Sequence, residues 1–283
     1  MKSVLVTGAS TGIGKACVHI LLNSGWRVFA GVRKEQDAEK LKQESKNRAI
    51  PIFLDVTQPE SIQDAASIIT TQIGSEGFHG LVNNAGIAVA CPLEAIPIED
   101  IRKQFEVNVF GQLSVIQAFI NLLRASKGRI VNIGSISGRM AIPFTGPYCS
   151  SKFALEAITD SLRMELKPWE IQVSIIEPGR IVTPIWEKSN EAAIDLENRI
   201  DPEKTALYRP YIDRFRKIIL KTAARGGTPE SVADAVIHAL EASKPKTRYV
   251  VGQDAKIQAF LAKFIPDKIR DNLVLKNLKL NEI

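Results

Sequence analysis

Two spacings of apolar residues alternate along this chain. Short runs rich in β-branched residues have the continuous apolar character of buried strands, whereas longer segments repeat an apolar residue every three or four positions, as amphipathic helices do. The first spacing predicts strands over Lys2–Thr7, Arg27–Val32, Ile50–Val56, Gly80–Val82, Arg129–Ile133, Ile171–Ile176 and Arg248–Val251. The second predicts helices over Gly12–Asn23, Gln36–Lys46, Pro59–Ile73, Ile98–Arg124, Gly146–Lys167 and Pro229–Glu241.

The alternation of these elements predicts the fold class. Nearly all-apolar strands that alternate with helices indicate a parallel sheet covered on both faces. Seven such strands predict an α/β fold, namely a doubly wound (Rossmann), mainly parallel seven-stranded sheet with helices on both faces. No Gly-, Pro- or Ser-rich linker and no internal repeat interrupts the pattern, so we expect one domain over residues 1–283.

Two segments fall outside the pattern. Residues 186–225 mix apolar and charged residues between a strand and a helix, and a long insertion at this place is typical of a substrate lid; ordinary surface helices are the alternative. Residues 253–283 form a variable C-terminal extension, in which Lys256–Lys279 mixes basic and apolar residues. We expect this extension to pack on the sheet edge or on a partner subunit; contact with a membrane surface is the alternative.

Composition excludes several classes of function. The net charge of +6 favours solubility and attraction for an anionic cofactor, but without an arginine-rich tract we expect no nucleic-acid binding. The three cysteines are widely spaced and form no CxxC motif or Cys/His cluster, so we expect no metal site, no disulfide framework and a cytoplasmic location. The N-terminal apolar run is too short for a signal sequence, and no apolar run predicts a transmembrane span.

A glycine-rich loop joins the first predicted strand to the first predicted helix, over Thr7–Gly14. Glycines allow a tight turn and a close approach of the backbone to a pyrophosphate, and the N-terminus of the helix offers free N–H groups to the phosphates. The spacing is neither GxGxxG nor that of a P-loop, and a turn without a ligand is the alternative. Candidate cofactor-binding residues are Gly8, Ser10, Thr11, Gly12, Ile13 and Gly14.

The end of the second predicted strand bears on the choice of cofactor. Arg33 and Lys34 follow this strand, where an enzyme that uses NAD(H) commonly has an acidic residue for the ribose 2′-hydroxyl. A carboxylate repels a 2′-phosphate, whereas a guanidinium binds it through two hydrogen bonds. The sequence therefore predicts NADP(H) rather than NAD(H), with Arg33 at the 2′-phosphate. Asp37 lies nearby in the chain and leaves NAD(H) as the alternative.

Tyr148 and Lys152 stand four positions apart in a segment of helical character, so one face of the helix carries both. The pKa of a free tyrosine lies near ~10, and a neighbouring ammonium lowers it by favouring the phenolate. A tyrosine tuned in this way can take a proton from an alcohol or give one to a carbonyl. By itself, a tyrosine and a lysine at this spacing indicate only that both lie on one face of a helix. A catalytic role for the pair therefore depends on the residues around it.

Ser135 follows the predicted strand Arg129–Ile133. Ligands of parallel sheets bind at the carboxyl ends of the strands, so the hydroxyl of Ser135 could hold a substrate oxygen beside Tyr148. Ser137 is the second candidate for this role, and a serine in an ordinary turn is the structural alternative. The position therefore becomes informative only together with the tyrosine.

Asn108 interrupts the apolar face of the long predicted helix Ile98–Arg124. A buried amide needs hydrogen-bond partners. We expect Asn108 either to anchor a water that connects Lys152 with solvent or to make a structural hydrogen bond to the backbone.

These motifs, in this order, resemble those of the short-chain dehydrogenases/reductases. Ser135 and Tyr148 are 13 positions apart, as is usual in that family, and no catalytic position departs from its pattern. The stretches Gln172–Gly179 and Arg27–Gly31 look most like steroid and retinol dehydrogenase-like members. The matching elements are Thr7–Gly14, Asp55, Asn83–Gly86, Asn108, Ser135, Tyr148 with Lys152, and Pro178–Gly179.

The resemblance implies a role for each matching residue. Tyr148 would donate or accept the proton, Lys152 would hold the nicotinamide ribose and lower the pKa of the tyrosine, and Ser135 would orient the reacting oxygen. Asn108 would maintain a relay water. The remaining implied cofactor contacts are Asp55 and Val56 near the adenine, Asn84, Ala85 and Gly86 along the cleft, and Pro178, Gly179 and Thr183 near the nicotinamide amide. Members of the family commonly form homodimers or homotetramers through the helices near 98–124 and 146–167.

Together these observations predict hydride transfer between NADP(H) and an alcohol/carbonyl pair, with Tyr148 as general acid/base. The apolar lid favours a lipophilic small molecule, such as a steroid, a retinoid or a long-chain alcohol, ketone or aldehyde. One alternative is a regulatory protein that senses NADP(H) without turnover. Another is epimerase or dehydratase chemistry on nucleotide sugars, for which the segment after residue 185 leaves modest room.

Overall fold

The computed structural model describes residues 1–280. Its strands are β1 (Ser3–Val6), β2 (Arg27–Val32), β3 (Ile50–Phe53), β4 (Gly80–Asn83), β5 (Arg129–Ile133), β6 (Gln172–Pro178) and β7 (Arg248–Val251). Its helices are α1 (Gly12–Asn23), α2 (Glu35–Glu44), α3 (Pro59–Ile73), α4 (Ile98–Phe105), α5 (Gly111–Ser126), α6 (Gly146–Glu165), α7 (Ile185–Glu197), α8 (Pro202–Ala223), α9 (Pro229–Glu241), α10 (Gln253–Phe264) and α11 (Asp267–Asn277).

The seven strands form one sheet in the order β3-β2-β1-β4-β5-β6-β7. Every pair of neighbouring strands is parallel. The chain builds outward from β1 to β3 and then returns to the other side of β1, so the direction of winding reverses between β1 and β4. The prediction of a doubly wound parallel sheet is confirmed, and the reversal creates a crevice at the carboxyl ends of these two strands.

Both faces of the sheet are covered, which explains the continuous apolar character of the strands. On one face, Val4 and Val6 pack in a core with α1 and α9. On the other face, Leu5 packs in a second core with α3 and α5. Alternate residues of β1 thus enter opposite cores, as the two-residue period of a strand requires.

The predicted helix Ile98–Arg124 is not a uniform α-helix. Five residues of π-helix, Glu106–Phe110, separate α4 from α5. A π-turn accommodates one extra residue in the helical repeat. Directly after it, Gly111 lies so near the carbonyl of Val56 that a Cβ would be 2.6 Å from that oxygen. The predicted long helix is confirmed as one continuous helical stretch, Ile98–Ser126, but the apolar spacing does not show where one extra residue is inserted.

By length and composition, the helical stretch Ile98–Ser126 is apolar enough to cross a membrane. This is the one such stretch within residues 1–280. Val115, Phe119 and Leu123 of this stretch are fully buried in the core between α3, α5 and the sheet. Its apolar composition therefore reflects packing in the protein core.

The predicted lid, residues 186–225, contains most of α7 and α8. Leu196 and Ile200 at the end of α7 pack against Val89 and Ile96 in a third, smaller core. The helices thereby cover the loop that follows β4. The predicted C-terminal extension contains α10 and α11, and its last three residues, 281–283, lie outside the described part of the chain.

Candidate active site

A cavity of about 660 Å³ opens at the carboxyl ends of the central strands, where the winding of the sheet reverses. The predicted site residues that line it are Gly8, Ser10, Thr11, Gly12, Ile13, Arg33, Asp55, Val56, Asn84, Ala85, Gly86, Ser135, Tyr148, Lys152, Pro178, Gly179 and Thr183. Ser137, the second candidate serine, also lines it. Gly14 and Asn108 do not belong to the lining and lie behind it.

The glycine loop is folded tightly against the start of the loop after β4. Gly8 has a φ of +62°, and a Cβ there would lie 2.9 Å from the Cα of Ala85. The side-chain amide of Asn84 donates hydrogen bonds of 2.9 Å to the carbonyls of Thr7 and Gly8. These contacts hold the loop so that the start of α1, at Gly12, faces the cavity. The arrangement fits a pyrophosphate, because no acidic side chain occupies the first turn of α1.

Arg33 lies at the end of β2, on the adenosine side expected for a dinucleotide. Its side chain is 65% exposed, and Nη1 is 4.0 Å from Oδ2 of Asp55. That distance is at the limit of an ion pair, so the guanidinium remains free to bind an anion. Asp55 is itself fixed by the backbone N–H and the hydroxyl of Thr57, at 2.9 and 2.7 Å.

The Tyr148–Lys152 pair occupies the first turns of α6, directly above the end of β5. Lys152 is buried, and Nζ donates a hydrogen bond of 2.8 Å to the carbonyl of Ile133. The ammonium lies 5.8 Å from the centre of the Tyr148 ring. Ser135 is buried as well, and its hydroxyl accepts a hydrogen bond of 3.1 Å from the backbone N–H of Ser137. The three predicted catalytic side chains thus meet at one wall of the cavity.

Burial dominates the acidities of this pair. It raises the pKa of Tyr148 to about 12, although a hydrogen bond with Ser135 acts in the opposite direction. Burial also lowers the pKa of Lys152 to about 8, against the attraction of the carboxylate of Glu156. The expected lowering of the tyrosine pKa by Lys152 is therefore not observed in the protein alone, because removal of the phenolate from water outweighs the effects of its neighbours.

Asn108 lies in the π-helical segment and is fully buried. Its Oδ1 accepts a hydrogen bond of 2.9 Å from the backbone N–H of Ile87, while Nδ2 donates to the carbonyl of Ile87 at 2.9 Å and to Oγ of Ser151 at 3.1 Å. The structural hydrogen bond to the backbone that was expected for Asn108 is therefore present.

Two further buried amides, Gln104 and Gln112, act in the same way and were missed in the sequence. Gln104 accepts from the backbone N–H of Val89 at 2.8 Å and donates to the carbonyl of Ile87 at 2.6 Å. Gln112 donates to the carbonyl of Ala85 at 3.1 Å. Their spacing of four residues on either side of Asn108 was the available signal. Together the amides fix the irregular loop after β4, whose backbone groups have no strand or helix to satisfy them.

A buried ionic cluster lies behind the site, and it too was missed in the sequence. Glu177 of β6 is fully buried and accepts a hydrogen bond of 2.9 Å from Nε of Arg139. Arg248 of β7 donates to Glu156 at 3.1 Å and to Asp160 at 2.6 Å, and its Nε lies 3.3 Å from Oε1 of Glu177. The cluster connects α6 with the last two strands of the sheet.

Glu156 stands one helical turn beyond Lys152. Burial and the negative charge of Glu177 raise the pKa of Glu156 to about 7, while Arg248 opposes this shift. Oε1 of Glu156 and Oε2 of Glu177 have no hydrogen-bond partner among the described residues. Residues distant in sequence create this environment, so only the four-residue spacing of Tyr148, Lys152 and Glu156 was visible beforehand.

The outer part of the cavity is mainly apolar. Phe144, which has a φ of +66°, packs edge-to-face on Phe215 and Tyr208, with ring centres 5.4 and 6.3 Å apart. Arg216 of α8 pairs with Glu197 of α7, and Lys188 of α7 adds a further charge to the lining. Other apolar residues of the wall are Ile142, Ile185, Trp186, Ile212, Ile219 and Leu220.

Within residues 1–280, no group of three or more His, Cys, Asp or Glu side chains is placed to hold a metal ion. Cys17, Cys91 and Cys149 are all buried and unpaired with one another. The polar groups that line the cavity include the Ser135–Tyr148–Lys152 set and the glycine loop.

Comparison with known proteins agrees with this geometry. A relative from Ornithobacterium rhinotracheale, described as an NADPH-dependent 3-dehydrocapnine reductase, is 37% identical over 284 residues, covering 99% of this chain and 98% of the relative. Retinol dehydrogenase 5 of Mus musculus is 35% identical over 274 residues, covering 95% and 86%. A short chain dehydrogenase from Burkholderia cenocepacia, solved in complex with NADP, has a TM-score of 0.72 and 27% identity, with 96% of each chain covered.

The family resemblance inferred from the motifs is confirmed. The model of the short chain dehydrogenase family matches residues 2–194, which contain the glycine loop, Ser135, Tyr148 and Lys152. Retinol dehydrogenases are among the relatives, as the stretch that ends at Gly179 predicted. This chain therefore belongs to the short-chain dehydrogenase/reductase family of oxidoreductases.

Proposed function

We propose that this protein transfers a hydride between NADP(H) and an alcohol/carbonyl pair, with Tyr148 as the general acid/base. The observation that carries the proposal is the convergence of Ser135, Tyr148 and Lys152 with the glycine loop on one cavity. A protein that only senses a dinucleotide needs groups that bind the cofactor but has no use for a serine and a tyrosine placed to hold and protonate a reacting oxygen. The enzyme is therefore favoured over the regulatory alternative.

The nicotinamide, when bound, supplies or accepts the hydride. In the reduction, the carbonyl carbon gains the hydride and the carbonyl oxygen gains the proton of the Tyr148 hydroxyl; the oxidation is the reverse. The pKa of about 12 keeps the phenol protonated at neutral pH, so Tyr148 starts as a proton donor. Ser135 would hold the reacting oxygen, and Lys152 would hold the ribose beside it. Asn108 would support this wall through the loop that it fixes.

The preference for NADP(H) rests on Arg33. Its exposed guanidinium faces the cavity at the end of β2, and its ion pair with Asp55 is long. A 2′-phosphate would give this guanidinium a closer and more highly charged partner. Asp37 also lines the cavity and keeps NAD(H) as the alternative cofactor.

A lipophilic substrate is the finer part of the proposal. The wall formed by Phe144, Phe215 and the apolar side chains of α7 and α8 presents aromatic and aliphatic surface to a substrate. Arg216 and Glu197 in this wall are paired with each other, whereas Lys188, Ser189 and Asn190 of α7 could bind a polar part of the substrate. Residues 186–225 would act as the lid over an apolar alcohol, ketone or aldehyde of steroid, retinoid or long-chain type.

The oligomeric state and the location in the cell are also proposals. Phe110, Phe153 and Met164 are exposed on α6 and just before α5, and a homodimer or homotetramer through these helices would bury them. We place the protein in the cytoplasm, where buried thiols remain reduced. Light scattering of the purified protein would measure its mass in solution.

Replacement of Tyr148 by phenylalanine tests the proposed chemistry. We expect Tyr148→Phe to lower kcat/KM by at least about 100-fold, because a positioned general acid contributes roughly that factor. Turnover is followed at the nicotinamide absorbance with NADPH and a panel of apolar ketones and aldehydes. NADPH binding, measured by fluorescence, should change little.

The matched control is Tyr249→Phe. The Tyr249 hydroxyl bonds to His238 at 2.8 Å and lies outside the cavity lining, so this variant should keep normal turnover. Near-normal turnover by Tyr148→Phe would refute the assignment. NADPH binding without turnover of any carbonyl by the unmodified protein would instead favour the regulatory alternative.

A further inference from the structure

The two C-terminal helices carry a row of exposed apolar side chains. Phe260 and Phe264 of α10 are 56% and 59% exposed, and Ile257 is 61% exposed. Ile269 and Leu273 of α11 are 55% and 40% exposed. We call these five residues the C-terminal apolar surface. Single exposed apolar residues are ordinary on proteins, but five on two consecutive helices mark a contact site.

The part of the C-terminal apolar surface on α10 borders the cavity lining. On α10, Ile257, Phe260 and Phe264 follow the spacing of one helical face. Asp254 and Gln258 lie on the neighbouring face and line the cavity. Adjacent residues of a helix point about 100° apart, so the exposed apolar face begins directly beside the cavity wall.

Lysines are interspersed along the two helices that carry this apolar surface. The acids of the two helices are largely engaged, since Asp254 pairs with Arg180 and Asp267 with Arg270. Among the ion pairs of residues 1–280, none involves the lysines of α10, α11 and the turn that follows. These are Lys256, Lys263, Lys268, Lys276 and Lys279. Exposed apolar side chains edged by unpaired lysines are chemically complementary to an anionic lipid surface.

We propose that α10 and α11 dock the protein onto the surface of an anionic lipid bilayer. The helices have 12 and 11 residues, which is too short to span a bilayer that requires about 20. They therefore lie in the interface, with the aromatic rings among the acyl chains and the lysines at the headgroups. Docking at this place brings the mouth of the cavity next to the bilayer, from which an apolar substrate can enter.

The positive charge of the lysines favours an anionic bilayer over a second copy of the chain as the partner of this surface. In a two-fold symmetric contact the same patch meets itself, so two sets of unpaired lysines would face each other across the interface. Anionic headgroups instead neutralise them. Self-association through this surface remains an outcome that the experiment can detect.

The test is sedimentation of the full-length protein with lipid vesicles, without cofactor or substrate. We expect binding to vesicles that contain phosphatidylglycerol, and binding at least about tenfold weaker to pure phosphatidylcholine. The double variant Phe260→Ser, Phe264→Ser should lose at least about tenfold in affinity for the anionic vesicles. Lys256→Glu with Lys263→Glu should lose a similar factor, and added salt should weaken binding of the unmodified protein.

Phe53→Ser is the matched control, because Phe53 is 52% exposed on the edge strand β3, far from α10. This variant should bind vesicles normally. The proposal would be overturned by equal binding to both lipids or by undiminished binding of the Phe260→Ser, Phe264→Ser variant. It would also be overturned if the unmodified protein formed dimers through this surface that the Phe260→Ser, Phe264→Ser variant alone dissociates. Because the assay needs no turnover, failure to bind lipid is distinguishable from failure of the proposed enzyme activity.

Discussion

At Tyr148, burial raises the pKa of the phenol, while the hydrogen bond with Ser135 lowers it. The sequence shows that Lys152 is one helical turn away, and from that spacing a lowered pKa was expected. The structure shows that burial raises the pKa to about 12. The sequence was sufficient to identify Tyr148 and Lys152 as a pair. It could not predict the burial of the phenol, because the residues that exclude water from it are distant in sequence.

The predicted preference for NADP(H) over NAD(H) depends on a single residue, Arg33. Arg33→Ala removes the guanidinium proposed to bind the 2′-phosphate, so KM for NADPH should rise about 10- to 100-fold, the loss of one charge-assisted contact. KM for NADH should change less than about threefold, because NADH has no phosphate at that position. Initial rates with both cofactors at a saturating carbonyl substrate provide the measurement.

Arg102→Ala is the companion to the Arg33 variant. Arg102 is an exposed arginine that pairs with Glu99 on α4, away from the cavity lining. Its removal should leave both KM values unchanged. Equal increases for NADPH and NADH in Arg33→Ala would show that this residue does not recognise the 2′-phosphate.

Among the elements, the strands and most helices followed directly from apolar spacing, whereas the α4–α5 region did not. The apolar residues repeat regularly enough to predict one helix, yet the segment Glu106–Phe110 is π-helical. In the structure this region contacts the loop after β4, with which Gln104, Asn108 and Gln112 form hydrogen bonds. The sequence indicated a polar interruption at Asn108, but it could not show which irregular backbone needed the amides.

Gln104→Met tests the contribution of this hydrogen-bonded contact. Methionine has a similar length but cannot accept the hydrogen bond from the backbone N–H of Val89, so it leaves this buried N–H unsatisfied, whereas the carbonyl of Ile87 keeps its hydrogen bond from Asn108. The free energy of unfolding should fall by about 1–3 kcal/mol, because one unsatisfied buried group costs about that much. Urea unfolding followed by circular dichroism measures the change.

The same substitution at Gln117 serves as the reference. Gln117 is exposed on α5, and Gln117→Met should change stability by less than about 0.5 kcal/mol, as is usual for surface sites. If both variants were equally stable, the amide of Gln104 would not contribute to holding the loop.

For the whole molecule, the cluster of Glu156, Glu177 and Arg248 joins α6 to the far half of the sheet and makes stability depend on pH. The pKa of Glu156 is raised from 4.5 to about 7. Between these two values the folded protein holds a proton that the unfolded chain has released. The free energy of unfolding contributed by Glu156 is therefore fully present below pH 4.5 and is lost as the pH rises through about 7.

Glu156→Gln removes this titration. Between pH 4.5 and about 7 the unmodified protein should lose stability relative to the variant, so that the difference between their free energies of unfolding changes steadily across this range. Urea unfolding at a series of pH values provides the data. A difference that stays constant with pH would mean that Glu156 titrates at its ordinary pKa.

Asp254, in the first turn of α10, connects the C-terminal part of the chain to the turn that follows β6. Its carboxylate accepts a hydrogen bond of 2.9 Å from the backbone N–H of Arg180 and contacts the Arg180 side chain at 3.3 Å. The turn after β6, which faces the cavity, is thus held in place by contacts with the first turn of α10. Ending the chain after Val251 would remove these contacts to the turn as well as the two C-terminal helices, so residues 253–264 help to shape the wall of the cavity.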